Sequence, residues 1–210
     1  MSELSYLERP ADGAAQGLLV LHHGRGADEH DLLPLADVLD PQRRLHVLTP
    51  QAPITLPGSP GYHWYRVLRV GYPDPASFLS SYAQLAQFHD ALWERTGLGP
   101  ERTVLGGFSM GSVMSYATGL GPGRPSPAGL LIFSGFIPTL EGWRPDLDRE
   151  LNIFIAHGRR DPVIEVEFAR SARLRLAEAG LEPEYDESDA AHHIDPRQIP
   201  AAVDWLSTTI

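Results

Sequence analysis

The 210-residue chain contains no cysteine and no lysine. Without cysteine there is no disulfide, no thiolate metal ligand and no thiol nucleophile, so covalent chemistry falls to another side chain. Without lysine, all 17 basic residues are arginine, which excludes a Schiff-base amine and the lysine of a phosphate-binding loop. Clustered positive charge is missing too. The formal net charge of -10 is spread along the chain and argues against a nucleic acid or an anionic membrane as partner. No stretch approaches the ~20 apolar residues of a membrane span, and Met1–Tyr6 shows no basic region followed by an apolar run. These absences lead to the expectation of a soluble, cytoplasmic protein acting on a small molecule. One domain over residues 1–210 would bury roughly 70% of its unfolded surface and needs no staple.

What is present alternates between two patterns. Leu4–Arg9 reads as a short first strand, and Gly17–Leu21 as a continuous apolar run of the kind buried on both faces of a parallel sheet. It ends at His22-His23-Gly24-Arg25-Gly26, after which Asp28–Leu39 carries Leu32, Leu35, Ala36 and Leu39 at helical spacing. Leu45–Thr49 is a strand. Residues 54–75, rich in Pro, Gly and aromatics, form a long functional loop expected to wall a pocket. Ser77–Thr96 predicts a helix, Arg102–Phe108 a strand, Gly129–Ser134 and Leu151–Ala156 two more, Val163–Gly180 a helix, Glu184–Ser188 a last strand and Ile199–Ser207 a closing helix. Strands alternating with helices through right-handed crossovers predict a mostly parallel α/β sheet flanked by helices. The segment after Phe133 is too short for a large cap domain.

The strand Arg102–Phe108 runs into Gly107-Phe108-Ser109-Met110-Gly111. A serine turned sharply between strand and helix projects its hydroxyl clear of the sheet, and glycines two residues to either side remove β-carbons that would collide with the neighbouring elements. Ser109 is thus the candidate nucleophile. A serine needs a base, and the base a third group that orients it. Asp161, just beyond the strand ending at Ala156, and His192 or His193, just beyond the last strand, stand where an open α/β sheet places its site residues. The order Ser, Asp, His is that of an α/β-hydrolase. Charge developing on the substrate oxygen calls for two backbone amides, one from Met110 after the nucleophile and one from the His23–Gly26 turn, where Arg25 is favoured.

These motifs resemble the phospholipase/carboxylesterase group of α/β-hydrolases, which includes small bacterial carboxylesterases and acyl-protein thioesterases. The resemblance rests on Leu21–Asp28 with Asp31-Leu32, on Pro50–Pro53, Gly107–Gly111 and His157–Ile164, and on the terminal His-x-Ile followed by Val203–Leu206. It implies a triad of Ser109, Asp161 and His192, with His193 at the variable position, oxyanion donors at Arg25 and Met110, and action on carboxylic esters without a cofactor. Members are often dimers, so a homodimer is among the states it allows.

Other residues carry duller readings. His23 and His157, in turns at strand ends, are read as bonding the backbone. The set His22, His23, His30, His192 and His193 lacks the spacing of a metal motif, so no metal is assigned. Trp64, Tyr65, Leu68 and Tyr72 either line an acyl pocket or anchor the long loop. Asp186 and Asp189 precede the histidines too closely to be the preferred acid. Serine carboxylesterase activity on short to medium acyl esters is the leading expectation. The alternatives are a thioesterase or lysophospholipase on the same fold, a metal-dependent hydrolase, and a non-catalytic binding protein.

Overall fold

A computed structural model describes residues 3–210; Met1 and Ser2, part of the segment read above for a leader, lie outside the described residues. The strands are β1 (Tyr6–Arg9), β2 (Gly17–His22), β3 (Leu45–Pro50), β4 (Val67–Arg69), β5 (Tyr72–Pro73), β6 (Thr103–Phe108), β7 (Gly129–Phe133), β8 (Asn152–Gly158) and β9 (Glu184–Ser188). The helices are α1 (Leu33–Leu39), α2 (Pro75–Thr96), α3 (Met110–Gly119), α4 (Val166–Glu178) and α5 (Ile199–Thr209). Seven strands form one sheet in the order β1-β3-β2-β6-β7-β8-β9. Its β1 edge is antiparallel and the rest is parallel. No helix among the described residues is long and apolar enough to cross a membrane.

The continuous apolar runs work because alternate side chains serve opposite faces of the sheet. Leu18, Val20, Leu130, Ile132, Ile153 and Ile155 join the core under α2, α3 and α4. Their neighbours Leu19, Leu21, Leu131, Phe133 and Phe154 join the core under α1 and α5. Every residue of α3 is buried, so this helix lies at the centre of its layer. The chain winds outward from β2 to β3 and then restarts at β6 on the other side of β2, leaving a crevice at the carboxyl ends of β2 and β6 where ligands of open α/β sheets bind.

Three helix starts differ from the sequence reading, each for a local hydrogen-bonding reason. Residues 28–32 make turns, with the Asp28 carboxylate accepting the His30 amide at 2.9 Å, so α1 begins at Leu33. Asp74 caps α2 by accepting the Ser77 amide at 3.0 Å, which lets Pro75 occupy the first turn. The Asp161 carboxylate takes the Val163 and Ile164 amides, delaying α4 to Val166. The long loop holds the β4–β5 ribbon, which the sequence reading did not anticipate. Residues 134–151 between β7 and β8 carry no helix or strand, so no cap domain covers the crevice.

Candidate active site

Ser109 sits between β6 and α3 with φ 54° and ψ -118°, a backbone conformation that costs of order 1–3 kcal/mol and persists only where the surroundings enforce it. The enforcement is visible. The Ser109 amide donates to the Phe133 carbonyl at 2.9 Å. The Ser112 hydroxyl lies 2.5 Å from the Gly107 carbonyl, 2.8 Å from the Phe133 carbonyl and 3.0 Å from the Phe133 amide, tying α3 to β6 and β7. A β-carbon at Gly107 would lie 2.7 Å from the Gly111 carbonyl carbon, and one at Gly111 would overlap the His22 carbonyl. The glycine spacing is a packing requirement of the turn.

The structure brings three residues from distant strand ends together. His192 Nε2 is 2.9 Å from Ser109 Oγ, and His192 Nδ1 is 2.6 Å from Asp161 Oδ2. The other carboxylate oxygen of Asp161 accepts the Val163 and Ile164 amides at 2.8 and 2.9 Å. The carboxylate is therefore oriented before it meets the histidine. His157 lies behind it: buried, it donates from Nε2 to the Ile164 carbonyl at 2.9 Å, with Asp161 Oδ2 3.5 Å away. The Phe108 ring packs on His192 with centroids 4.9 Å apart. His193 is exposed, and its amide bonds the Ala191 carbonyl. Asp189 is occupied by Arg159 at 2.9 Å, and the Asp186 carbonyl accepts Gln198 Nε2.

The turn after β2 supplies the opposite wall. Among the described residues, neither the Arg25 nor the Met110 amide donates to a protein acceptor. The Met110 amide is at the first position of α3, where unpaired N–H groups and the helix dipole favour negative charge. His23 fastens the turn. It donates from Nδ1 to the Gly24 carbonyl at 2.7 Å and accepts the Ala52 amide on Nε2 at 2.9 Å, so both ring nitrogens are committed in the neutral form. Burial holds its pKa below the ordinary histidine value. The backbone-bonding reading of His23 and His157 matches these contacts.

The four loop residues singled out from the sequence separate. A cleft of about 390 Å³ is lined by Ser109, Met110, Arg25 and His192 together with Tyr65, Val67, Arg69, Val70, Phe136 and Ile164. Tyr65 is the one of the four in that lining; burial raises its phenol pKa. Trp64 is fully buried instead, its indole N–H donating to the His23 carbonyl at 2.9 Å and its ring packed against His22 and His23. Leu68 is 68% exposed on the outer side of the ribbon. Tyr72 lies under the Arg69 guanidinium, 3.6 Å from the ring centroid, and faces a neighbouring groove. Val67, Arg69 and Val70 line the cleft and Leu68 does not, on a ribbon whose register shifts between Val67 and Arg69.

One polar cluster had no sequence signal, because its members are far apart in the chain. Ser115 Oγ donates to the Gly111 carbonyl at 3.1 Å, so it accepts from His22 Nδ1 at 2.8 Å. His22 Nε2 then accepts from His89 Nε2 at 3.3 Å. Burial lowers both histidine pKa values, that of His89 to about 3. The chain of donors links α2, the end of β2 and α3 directly beneath the serine turn. Of the histidines considered together above, His22 and His23 are spent on these internal bonds. His30 lies at the surface, where its donor atom and those of Asp28 and Glu29 are within 4.8 Å of one another.

The chain resembles known proteins in sequence and solved structures in fold. The chain is similar to the putative hydrolase MhqD of Bacillus subtilis, 25% identical over 198 residues that span 94% of this chain and 96% of that protein. It is 30% identical over 198 residues to acyl-protein thioesterase 1 of Mycosarcoma maydis, covering 83% of this chain and 80% of the relative. Among solved structures, esterase PE8 is 30% identical with a TM-score of 0.87, and the match covers 100% of both chains. The Bacillus cereus carboxylesterase, 21% identical, has the same fold with a TM-score of 0.84 over 99% of this chain and 95% of that one. The family model described as Phospholipase/Carboxylesterase matches residues 7–210, from β1 through the end of α5. A match of that extent, on a parallel sheet with a strained serine turn at its switch point, places the chain in the phospholipase/carboxylesterase family of α/β-hydrolases.

Proposed function

We propose that the protein is a serine carboxylesterase that hydrolyses short to medium acyl esters through an acyl-enzyme. The supporting observation is that His192 lies within hydrogen-bond distance of both Ser109 Oγ and Asp161 Oδ2. With Nδ1–H donated to Asp161, Nε2 is free to accept the serine proton as Oγ attacks the ester carbonyl carbon. The carbonyl electrons move to oxygen, and the Arg25 and Met110 amides stabilise that charge. Collapse expels the alcohol, which takes its proton from His192. Water, deprotonated by the same histidine, then attacks the acyl carbon; Ser109 leaves with the proton and the acid is released. Tyr65, Val67 and Val70 supply apolar surface for the acyl or alcohol part.

A fluorophosphonate probe should label the wild-type chain on Ser109 and leave Ser109→Ala unlabelled. Labelling that persists in Ser109→Ala overturns the assignment. A second reading, acyl thioesterase or lysophospholipase activity at the same serine, is supported by the relatives named acyl-protein thioesterase. Rates on oxygen esters and thioesters of the same acyl group, measured side by side, decide between them. A preference for the thioester by tenfold or more would replace the first reading.

A further inference from the structure

The cleft is bounded at one end by Phe136, whose far side borders a second cavity. That groove, about 530 Å³, runs between the turn of the β4–β5 ribbon, the segment after β7 and the outer face of α4. Phe136 lines both spaces and is itself only 5% exposed. Its ring packs on Phe168 of α4, with centroids 5.3 Å apart. Phe168 is clamped in turn by the ribbon. A β-carbon at Gly71 would lie 2.8 Å from Phe168 Cε1, and the Thr139 amide donates to the Gly71 carbonyl at 3.2 Å. The groove is apolar where it meets this pair, at Ile137, Phe168 and Ala172, and becomes charged at its far end with Arg175 and Glu178.

We propose that Phe136, backed by Phe168, is the residue that sets acyl-chain length, by closing the cleft off from the groove behind it. A short aliphatic acyl group on Ser109 ends against the Phe136 ring. A longer one must displace an aromatic pair whose backing ring is held between α4 and Gly71, because a packed interior gives way only at a cost. The neighbouring apolar end of the groove is the space a longer chain would enter once the ring is gone. The inference rests on the esterase reading and on Ser109 as its nucleophile.

The test is the ratio of kcat/KM for a decanoyl ester to that for a butyryl ester of the same alcohol, so that each variant serves as its own reference. Each methylene accommodated in an apolar pocket changes such ratios by about tenfold or more. Phe136→Ala should raise the ratio at least tenfold over wild type, and Phe168→Ala should raise it by a smaller factor. Phe136→Leu, which keeps the core filled, should raise it in the same direction and stands in for the alanine variant if that fails to fold. A ratio unchanged or lowered in the Phe136 variants overturns the proposal. Butyryl ester hydrolysis that survives Ser109→Ala overturns the esterase reading instead. Ser109-dependent butyryl hydrolysis with an unmoved ratio overturns the length stop alone.

Discussion

His89 Nε2 on α2 lies 3.3 Å from His22 Nε2 at the end of β2, and both rings are fully buried. In the direction assigned by Ser115, His89 donates and His22 accepts, so each is held neutral. An added proton would be a charge without solvent, in a region that already faces the Arg124 guanidinium near His89 and the His23 ring near His22. Stability should therefore depend on pH in a defined window. Unfolded histidine titrates near pH 6.5, whereas burial lowers His89 to about 3 and His22 well below its ordinary value. Below about pH 6.5 the unfolded chain binds protons that the folded one refuses. The contribution is complete above that pH and declines as pH falls, by up to about 1.4 kcal/mol per pH unit for each histidine. Carboxylates held low, such as Glu187 at about 2 through its Arg170 pair, lose their contribution only at more acid pH. Urea unfolding at pH 7.0, 6.0 and 5.0 checks this; equal midpoints would refute it.

Asp161→Asn isolates the role proposed for the carboxylate. Asparagine can still accept the Val163 and Ile164 amides on Oδ1, which leaves its NH2 facing His192 Nδ1. A donor there favours the imidazole tautomer protonated on Nε2, which cannot take the serine proton. The expected result is a fall in kcat of about 10⁴-fold with a native-like circular dichroism spectrum and little change in KM. A loss of tenfold or less would show that Asp161 does not orient the base.

Gly111→Ala should be destabilising although it adds one methyl group. Its β-carbon would overlap the His22 carbonyl, which belongs to backbone and cannot swing away. The cost should reach about 3 kcal/mol, a drop of about 6–12 °C in Tm for a chain of this size. Differential scanning calorimetry reads it directly, and a Tm within two degrees of wild type would contradict it.

Trp64 and Leu68 should separate stability from catalysis. Trp64→Phe removes the indole donor to the buried His23 carbonyl and should cost about 1–3 kcal/mol of stability. Leu68→Ser alters a side chain outside the cleft and should leave kcat/KM within about twofold and stability within about 0.5 kcal/mol. A tenfold loss of kcat/KM in Leu68→Ser would mean that the ribbon closes over the substrate.

The sequence by itself determined the features whose causes are local or periodic. The apolar runs predicted the strands because a parallel sheet buries both faces of each, and the order of runs and helical patterns predicted their alternation. The serine turn was legible because glycine is required within two residues of it by steric contact with adjacent elements. Asp161 and the His192-His193 pair were legible as candidates at strand ends, and the approach of His192 Nδ1 to within 2.6 Å of Asp161 is a product of the sheet order. What the tertiary structure alone decided concerns partners with no sequence periodicity between them. In the loop 54–75, Trp64 is buried against the turn after β2, where its indole bonds the His23 carbonyl, and Tyr65 rather than Leu68 lines the cleft. His22, His89 and Ser115 meet across 67 and 93 residues of chain, and Phe136 meets Phe168 because α4 packs beside β8. Spacing along a chain reports which face a residue takes within its own element, but which other element that face meets is settled by packing.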